Sequence, residues 1–209
     1  MTTNTIIRSA LKQSFLRPFL QQLQLVDWKR RGRPVPPPNA LKQQTVRKYA
    51  KRFETKILVE TGTYLGDMIY TTQASFDKVF SIELNEELHQ RAQERFAQNK
   101  HIVLYQGDSA TVLPLILNEI KEPALFWLDA HYSGAITARA AIDTPIIQEL
   151  IGIFAHPLAE KHVILIDDAR HFTGENDYPK LEELRLFILE RFPMWKFEVK
   201  DDVIRAHKG

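Results

Sequence analysis

The chain contains no cysteine among its 209 residues. A disulfide framework, a thiolate zinc site and a cysteine nucleophile are therefore excluded. Long apolar runs are missing too, and none approaches the roughly 18–20 residues of a membrane-spanning helix. The amino terminus lacks the apolar core and small-residue cleavage site of a secretory signal, so a cytoplasmic location is expected. Acids are almost absent from the first quarter. Residues 1–53 hold twelve Lys/Arg and a single acid, Asp27, against sixteen basic and twenty-five acidic residues in the remainder. The net charge of +2 thus hides a basic arm on an acidic body. Such a split marks either an anionic partner or an arm folded against its own domain.

Two phosphate-binding signatures are also lacking. The stretch 56–66, Lys-Ile-Leu-Val-Glu-Thr-Gly-Thr-Tyr-Leu-Gly, reads as a buried strand turning sharply into a helix. Gly62 and Gly66 remove Cβ atoms where a ligand or a neighbouring backbone comes close. A dinucleotide fingerprint would need glycine at position 64, where Tyr64 stands, and no Gly-Lys-Ser/Thr follows. An acid, Glu83, does lie about twenty residues after the turn, where a dinucleotide fold places one on ribose hydroxyls. The turn therefore suits a ligand with a ribose and no pyrophosphate.

What is present is a regular alternation of elements. Residues 5–26 predict a basic amphipathic helix, interrupted at Pro18, whose apolar face suits a homodimer contact; membrane or nucleic-acid contact is the lesser alternative. Lys29 to Arg33 and the prolines at 34–38 predict a stiff linker, so that 1–38 forms an arm and 39–209 the main domain. Asn39 is expected to cap a helix with Val46, Tyr49, Ala50 and Phe53 on one stripe. Strands are predicted at 78–84, 101–106, 124–128 and 163–166, with helices at 85–98, 109–120, from a Thr144 cap onward, and 179–192. Ile146, Ile147, Leu150, Ile151 and Phe154 are the expected core face of the third of these helices. Residues 197–199 and 203–206 predict a closing hairpin about Asp201-Asp202. The alternation implies an α/β fold with a mostly parallel sheet and helices on both faces.

Acids mark every parallel strand end: Glu60, Glu83, Asp108, Asp129 and the pair Asp167-Asp168. One such acid is explained by helix capping. Six of them brought to one rim favour a site for hydroxyl groups, a cation, or both. His131, two residues past Asp129, is the candidate proton acceptor, with Asp129 itself, or a metal with no dedicated base, as its competitor. Segments 132–144 and 174–178 are candidate substrate loops, and Arg170 and His171 candidate substrate contacts.

Glu60-x-Gly62-Thr63-Tyr64-x-Gly66 resembles motif I of the class I S-adenosylmethionine-dependent methyltransferases. It is most similar to the metal-dependent catechol and caffeoyl-CoA O-methyltransferases. Ser81-Ile-Glu83 is similar to the second motif, and Gly107-Asp108-Ser109 falls where that family contacts adenine. Phe126-Trp-Leu-Asp129 and Leu165-Ile-Asp167-Asp168 fall on its two metal-ligand segments, an arrangement also resembling the macrocin-type sugar O-methyltransferases. The likeness spans roughly residues 40–206. It implies a Rossmann-like fold with a seven-stranded sheet and an amino-terminal helical extension. It further implies S-adenosyl-L-methionine held by Glu60, Gly62, Thr63, Tyr64, Gly66, Glu83, Asp108 and Ser109. Mg2+ or another divalent cation would sit on Asp129, Asp167 and Asp168, and the acceptor would be a small-molecule hydroxyl, such as a sugar's. Tyr132 replaces the lysine those enzymes carry after the first metal aspartate, so the base is not inherited. A nucleic-acid methyltransferase using the basic arm, or a non-catalytic module of the same fold, are the alternatives.

Overall fold

The computed structural model describes residues 19–129 and 144–209. The expected amphipathic segment before residue 19, Pro18, His131 and nearly all of the first substrate loop lie outside the described residues. Helix α1, described from residue 19, runs to residue 30, past its expected end at Val26. Lys29 and Arg30 therefore belong to its last turn, where cations complement the helix dipole. Leu25 and Trp28 are buried, and the Trp28 indole donates to the Pro34 carbonyl at 2.7 Å. The proline segment is thereby folded back on α1.

Helix α2 (Asn39–Phe53) follows, with Pro38 rather than Asn39 at the cap position. Proline already holds the extended backbone that a cap needs, so the asparagine is displaced into the helix. Then come β1 (Ile57–Thr61), α3 (Asp67–Thr72), β2 (Lys78–Glu83), α4 (Glu86–Phe96), β3 (Ile102–Gln106), α5 (Ser109–Glu119) and β4 (Ala124–Leu128). After the undescribed loop stand α6 (Ile146–Ala155), β5 (Val163–Ile166), α7 (Leu181–Arg191), β6 (Trp195–Lys200) and β7 (Val203–Lys208). Helix α6 starts one residue later than expected, with Pro145 at its cap, and Ile151 is exposed where a core position was expected. Its buried face is instead Ile146, Glu149, Leu150, Ile153 and Phe154. Among the described residues no helix is long and apolar enough to cross a membrane.

The seven strands lie in the order β3-β2-β1-β4-β5-β7-β6. Strands β1 to β5 pair in parallel, and β7 runs antiparallel between β5 and β6. This is the predicted α/β architecture with a closing hairpin. Because side chains alternate along a strand, the sheet splits its apolar residues between two cores. Ile57, Val59, Phe80, Ile82, Phe126, Leu128, Ile164 and Ile166 pack against α5, α6 and α7. Leu58, Val79, Leu125, Trp127, Val163 and Leu165 pack against α2, α3 and α4. Glu60, Glu83, Asp129 and Asp167 continue the second set of rows. The period of two thus sends all four carboxylates to the α2 face, at the carboxyl rim of the parallel strands.

Candidate functional site

The glycine turn begins where β1 ends. Gly62 and Thr63 both donate to the Ile82 carbonyl of β2, which bends the chain over that strand. Gly62 and Gly66 have φ of 90° and 72°. A Cβ at Gly66 would come within 2.7 Å of Phe96 on α4, so this glycine makes room for a neighbouring helix rather than directly for a ligand. Tyr64 has φ 48° although it carries a bulky side chain. The left-handed geometry is kept at this position without a glycine, at a cost in backbone strain. What holds it is visible: the Tyr64 N–H donates to Glu83 Oε2 at 2.7 Å, while Asn85 N–H donates to Oε1 at 2.9 Å. Glu83 is buried at the end of β2 with its carboxylate fixed between two loops.

Glu60 lies beside it, 1% exposed, and faces Ser81 across the β1–β2 pairing. Ser81 Oγ donates to Glu60 Oε2 at 2.6 Å and also shares a 2.6 Å hydrogen bond with Thr63. Burial pushes the Glu60 carboxyl up to about 8, and the nearby Asp129 and Glu83 add to the rise against the serine hydrogen bond. Asp108 caps α5, accepting from Ala110 N–H at 2.8 Å, and brings Ser109 to the rim.

At the β4–β5 end the rim is more acidic. Asp129 N–H donates to the Thr61 carbonyl and Asp167 N–H to the Leu128 carbonyl, so the sheet's ladder extends one residue to place both carboxylates. Asp168 follows in a left-handed conformation, φ 54° and ψ 50°, which turns its side chain back toward Asp167. Oxygens of Asp129, Asp167 and Asp168 lie within 4.8 Å of one another. Hard carboxylate oxygens in this arrangement suit a hard divalent cation such as magnesium. Burial, and then Asp129, lift the Asp167 carboxyl well above its ordinary value, against the opposing pull of Lys42. A group raised in this way regains its ionised form when positive charge is added. The expected metal residues are thus brought together, and their chemistry fits a divalent ion.

Two groups at this site were missed from the sequence. Lys42, in the first turn of α2, places Nζ 2.6 Å from Asp167 Oδ2 and 2.9 Å from Asp168 Oδ1. The signal was its spacing: 42, 46, 49 and 53 form one helical stripe, so the lysine lies on the buried face. Glu149 lies on the buried face of α6, 2% exposed, with no hydrogen-bond partner for Oε1 among the described residues. Burial pushes it up to about 7, although the Ser109 and Thr61 hydroxyls favour its ionised form. It too was marked by position, between Ile146 and Ile153. Arg170, a candidate substrate contact, pairs with Asp168 at 2.7 Å and with Asp202 of the hairpin turn. A small, half-open recess lies beside the cluster, lined among others by Asp129, Thr144, Glu149, Asp167, Phe172 and Tyr178. Tyr178 comes from the second expected substrate loop and packs edge-on against Phe172.

No protein-family model matches the sequence, and no curated protein sequence matches it. Solved structures do match. The S-adenosylhomocysteine-bound methyltransferase PaMTH1 of Podospora anserina superposes with a TM-score of 0.58 at 16% identity, covering 89% of this chain and 88% of its own. The O-methyltransferase TomG of Streptomyces achromogenes, solved with S-adenosylmethionine, gives 0.58 at 13% identity over 90% and 89%. A Bacillus cereus O-methyltransferase, in complex with S-adenosylhomocysteine, gives 0.56 at 15% identity over 90% of each chain. The sheet order, the glycine turn and these likenesses agree: the chain has the class I S-adenosylmethionine-dependent methyltransferase fold and resembles the O-methyltransferases that share it.

Proposed function

We propose that the chain is an S-adenosylmethionine-dependent O-methyltransferase acting on a hydroxyl of a small polyhydroxylated molecule such as a sugar, with a divalent cation assisting. The observation that carries this reading is the juxtaposition of two different acidic sites on one rim. Glu83 stands beside the glycine turn, and the Asp129, Asp167 and Asp168 cluster stands beside the recess.

Each chain residue then has a physical task. Glu83 has both oxygens anchored by backbone donors and keeps lone pairs for the two hydroxyls of a ribose. The Gly62–Gly66 backbone seats the donor, and Asp108 with Ser109 bounds the adenine side. When bound, the donor supplies a sulfonium methyl that passes in line to the acceptor oxygen. Asp129, Asp167 and Asp168 would hold the cation, which lowers the pKa of an acceptor hydroxyl. His131, with Asp129 as its competitor, is the proton acceptor in this reading. Because an anionic oxygen meets a cationic methyl donor, the protein's main contribution is alignment. Phe172 and Tyr178 offer apolar ring surface and Glu149 a buried carboxyl to an acceptor in the recess.

The test is methyl transfer to a panel of polyhydroxylated acceptors, run with magnesium and with excess chelator, beside calorimetry with S-adenosylhomocysteine. Asp168→Ala is expected to abolish transfer while leaving the calorimetric affinity within about twofold, since it lies outside the donor's seat. Full activity in chelator would remove the metal from this reading. Failure to bind S-adenosylhomocysteine would remove the reading itself.

A further inference from the structure

Lys42 holds one carboxylate oxygen of each member of the Asp167–Asp168 pair. Asp167 Oδ1 accepts the Asp168 backbone N–H at 2.8 Å, which leaves Oδ2 as its outward oxygen, and Oδ2 is the atom Lys42 contacts at 2.6 Å. Asp168 Oδ1 is shared between Lys42 at 2.9 Å and Arg170 at 2.7 Å. A magnesium ion bonds carboxylate oxygens at about 2.0–2.1 Å. On these same oxygens it would stand against the ammonium, cation against cation, with little water to screen them. The Lys42 side chain is 11% exposed, and those of Asp167 and Asp168 are 2% and 8% exposed.

The backbone under Lys42 is not placed to move. Its neighbour Gln43 accepts from Gln21 of α1 at 3.2 Å and donates to the Asp67 carbonyl of α3 at 3.3 Å. The first turn of α2 is thus tied on two sides. The lysine stem has four rotatable bonds, so the ammonium leaves by side-chain rotation while the helix stays.

We propose that Lys42 is the resident counter-ion of the Asp167–Asp168 pair and swings out when a divalent cation binds, so that the first turn of α2 gates cation occupancy of the site. The proposal rests on the cation-binding part of the function proposed above. It assigns the site a switch between two charged states, ammonium-held and metal-held. The alternative is a site whose only cation is the lysine.

Calorimetric titration with MnCl2 tests it on the full-length wild type, Lys42→Met and Lys42→Arg. Lys42→Met is expected to bind manganese at least tenfold more tightly than wild type, and Lys42→Arg no more tightly than wild type. Equal affinity in wild type and Lys42→Met, or no binding in either, overturns the proposal. Amine-reactive labelling of the wild type, read by mass spectrometry, does not depend on any variant folding. Labelling of Lys42 is expected to rise at least tenfold with MnCl2, and an unchanged yield overturns the proposal. Titration with S-adenosylhomocysteine in the same preparations separates the two readings. If that ligand binds and manganese does not, the gate falls while the methyl-donor site stands. If Lys42→Met gains manganese affinity but S-adenosylhomocysteine does not bind, the gate stands and the methyltransferase reading falls.

Discussion

At the β1–β2 end of the rim, Glu83 is held by two backbone N–H groups and Glu60 by a serine hydroxyl. At the β4–β5 end, Asp167 and Asp168 are held by the Lys42 ammonium, and Asp168 also by the Arg170 guanidinium. Backbone donors are part of the fold and cannot be exchanged for a ligand. A side-chain cation can be. The first arrangement gives a carboxylate of fixed direction, which in the reading proposed above meets the hydroxyls of a ribose. The second keeps its carboxylates paired with side-chain cations, which under the proposed gate a divalent ion would replace. The same residue type therefore serves two purposes on one sheet edge, and the partner atoms decide which.

The comparison breaks first at Lys42. In metal-free buffer Lys42→Met leaves two buried carboxylates without their ammonium. A loss of about 3–5 kcal/mol is expected, read as a thermal midpoint lower by roughly 10 °C. Magnesium is expected to restore part of that fall. No fall at all would mean that the acidic pair does not need the lysine.

Next comes the pH response at Glu60. Its carboxyl is pushed up to about 8 from an ordinary 4.5, burial being the first cause. The unfolded chain releases this proton above about pH 4.5, whereas the folded chain keeps it to about pH 8. The unfolded state therefore binds fewer protons in that window, and this group's contribution to stability falls as pH rises through it. Urea denaturation of metal-free protein at pH 5, 6.5 and 8 is expected to show a flatter decline in Glu60→Gln than in wild type. A parallel decline in both would exclude the buried acid as its source.

Glu83→Ala tests the anchored half directly. It removes two charge-assisted hydrogen bonds and the proposed ribose partner together, and a fall of about 100-fold in S-adenosylhomocysteine affinity is expected. A change under threefold would show that the backbone loops alone seat the donor. The exposed pair Arg91–Glu87 on α4, at 2.6 Å, sets the floor of the scale. Arg91→Ala is expected to cost less than about 0.5 kcal/mol by urea denaturation. A larger cost would blur the contrast between buried and exposed pairs.

Much of this molecule was legible before its coordinates. Short apolar runs placed the strands, and each acid just past a run had to come to the rim, because parallel strands share one carboxyl edge. The cations were harder to see. Lys42 sits in a segment so basic that any one lysine looks like solvated charge, and only its register with Val46 and Tyr49 singles it out. Glu149 is hidden for the opposite reason, since an acid in the first turn of a helix reads as a dipole partner. Tyr64 was visible as a departure from a glycine pattern. Its left-handed backbone was not, because that depends on Glu83 reaching across from another strand. Asp202 read as a hairpin turn residue, and its pairing with Arg170 needed the strand order to be known.

That last pairing has a consequence in time. Strand β7 slots between β5 and β6, and Asp202 at its mouth accepts the Ala169 N–H through its carbonyl and the Arg170 N–H through its carboxylate. The turn bearing Asp168 is thus buttressed from a point some thirty residues further along the chain. A ribosome making this protein emits the glycine turn, the first six strands and the aspartates before it emits their support. Because non-local pairings form late, a nascent chain is expected to acquire the proposed donor seat before the proposed cation site. In a stalled or truncated product, the site for chemistry would be the piece left unfinished.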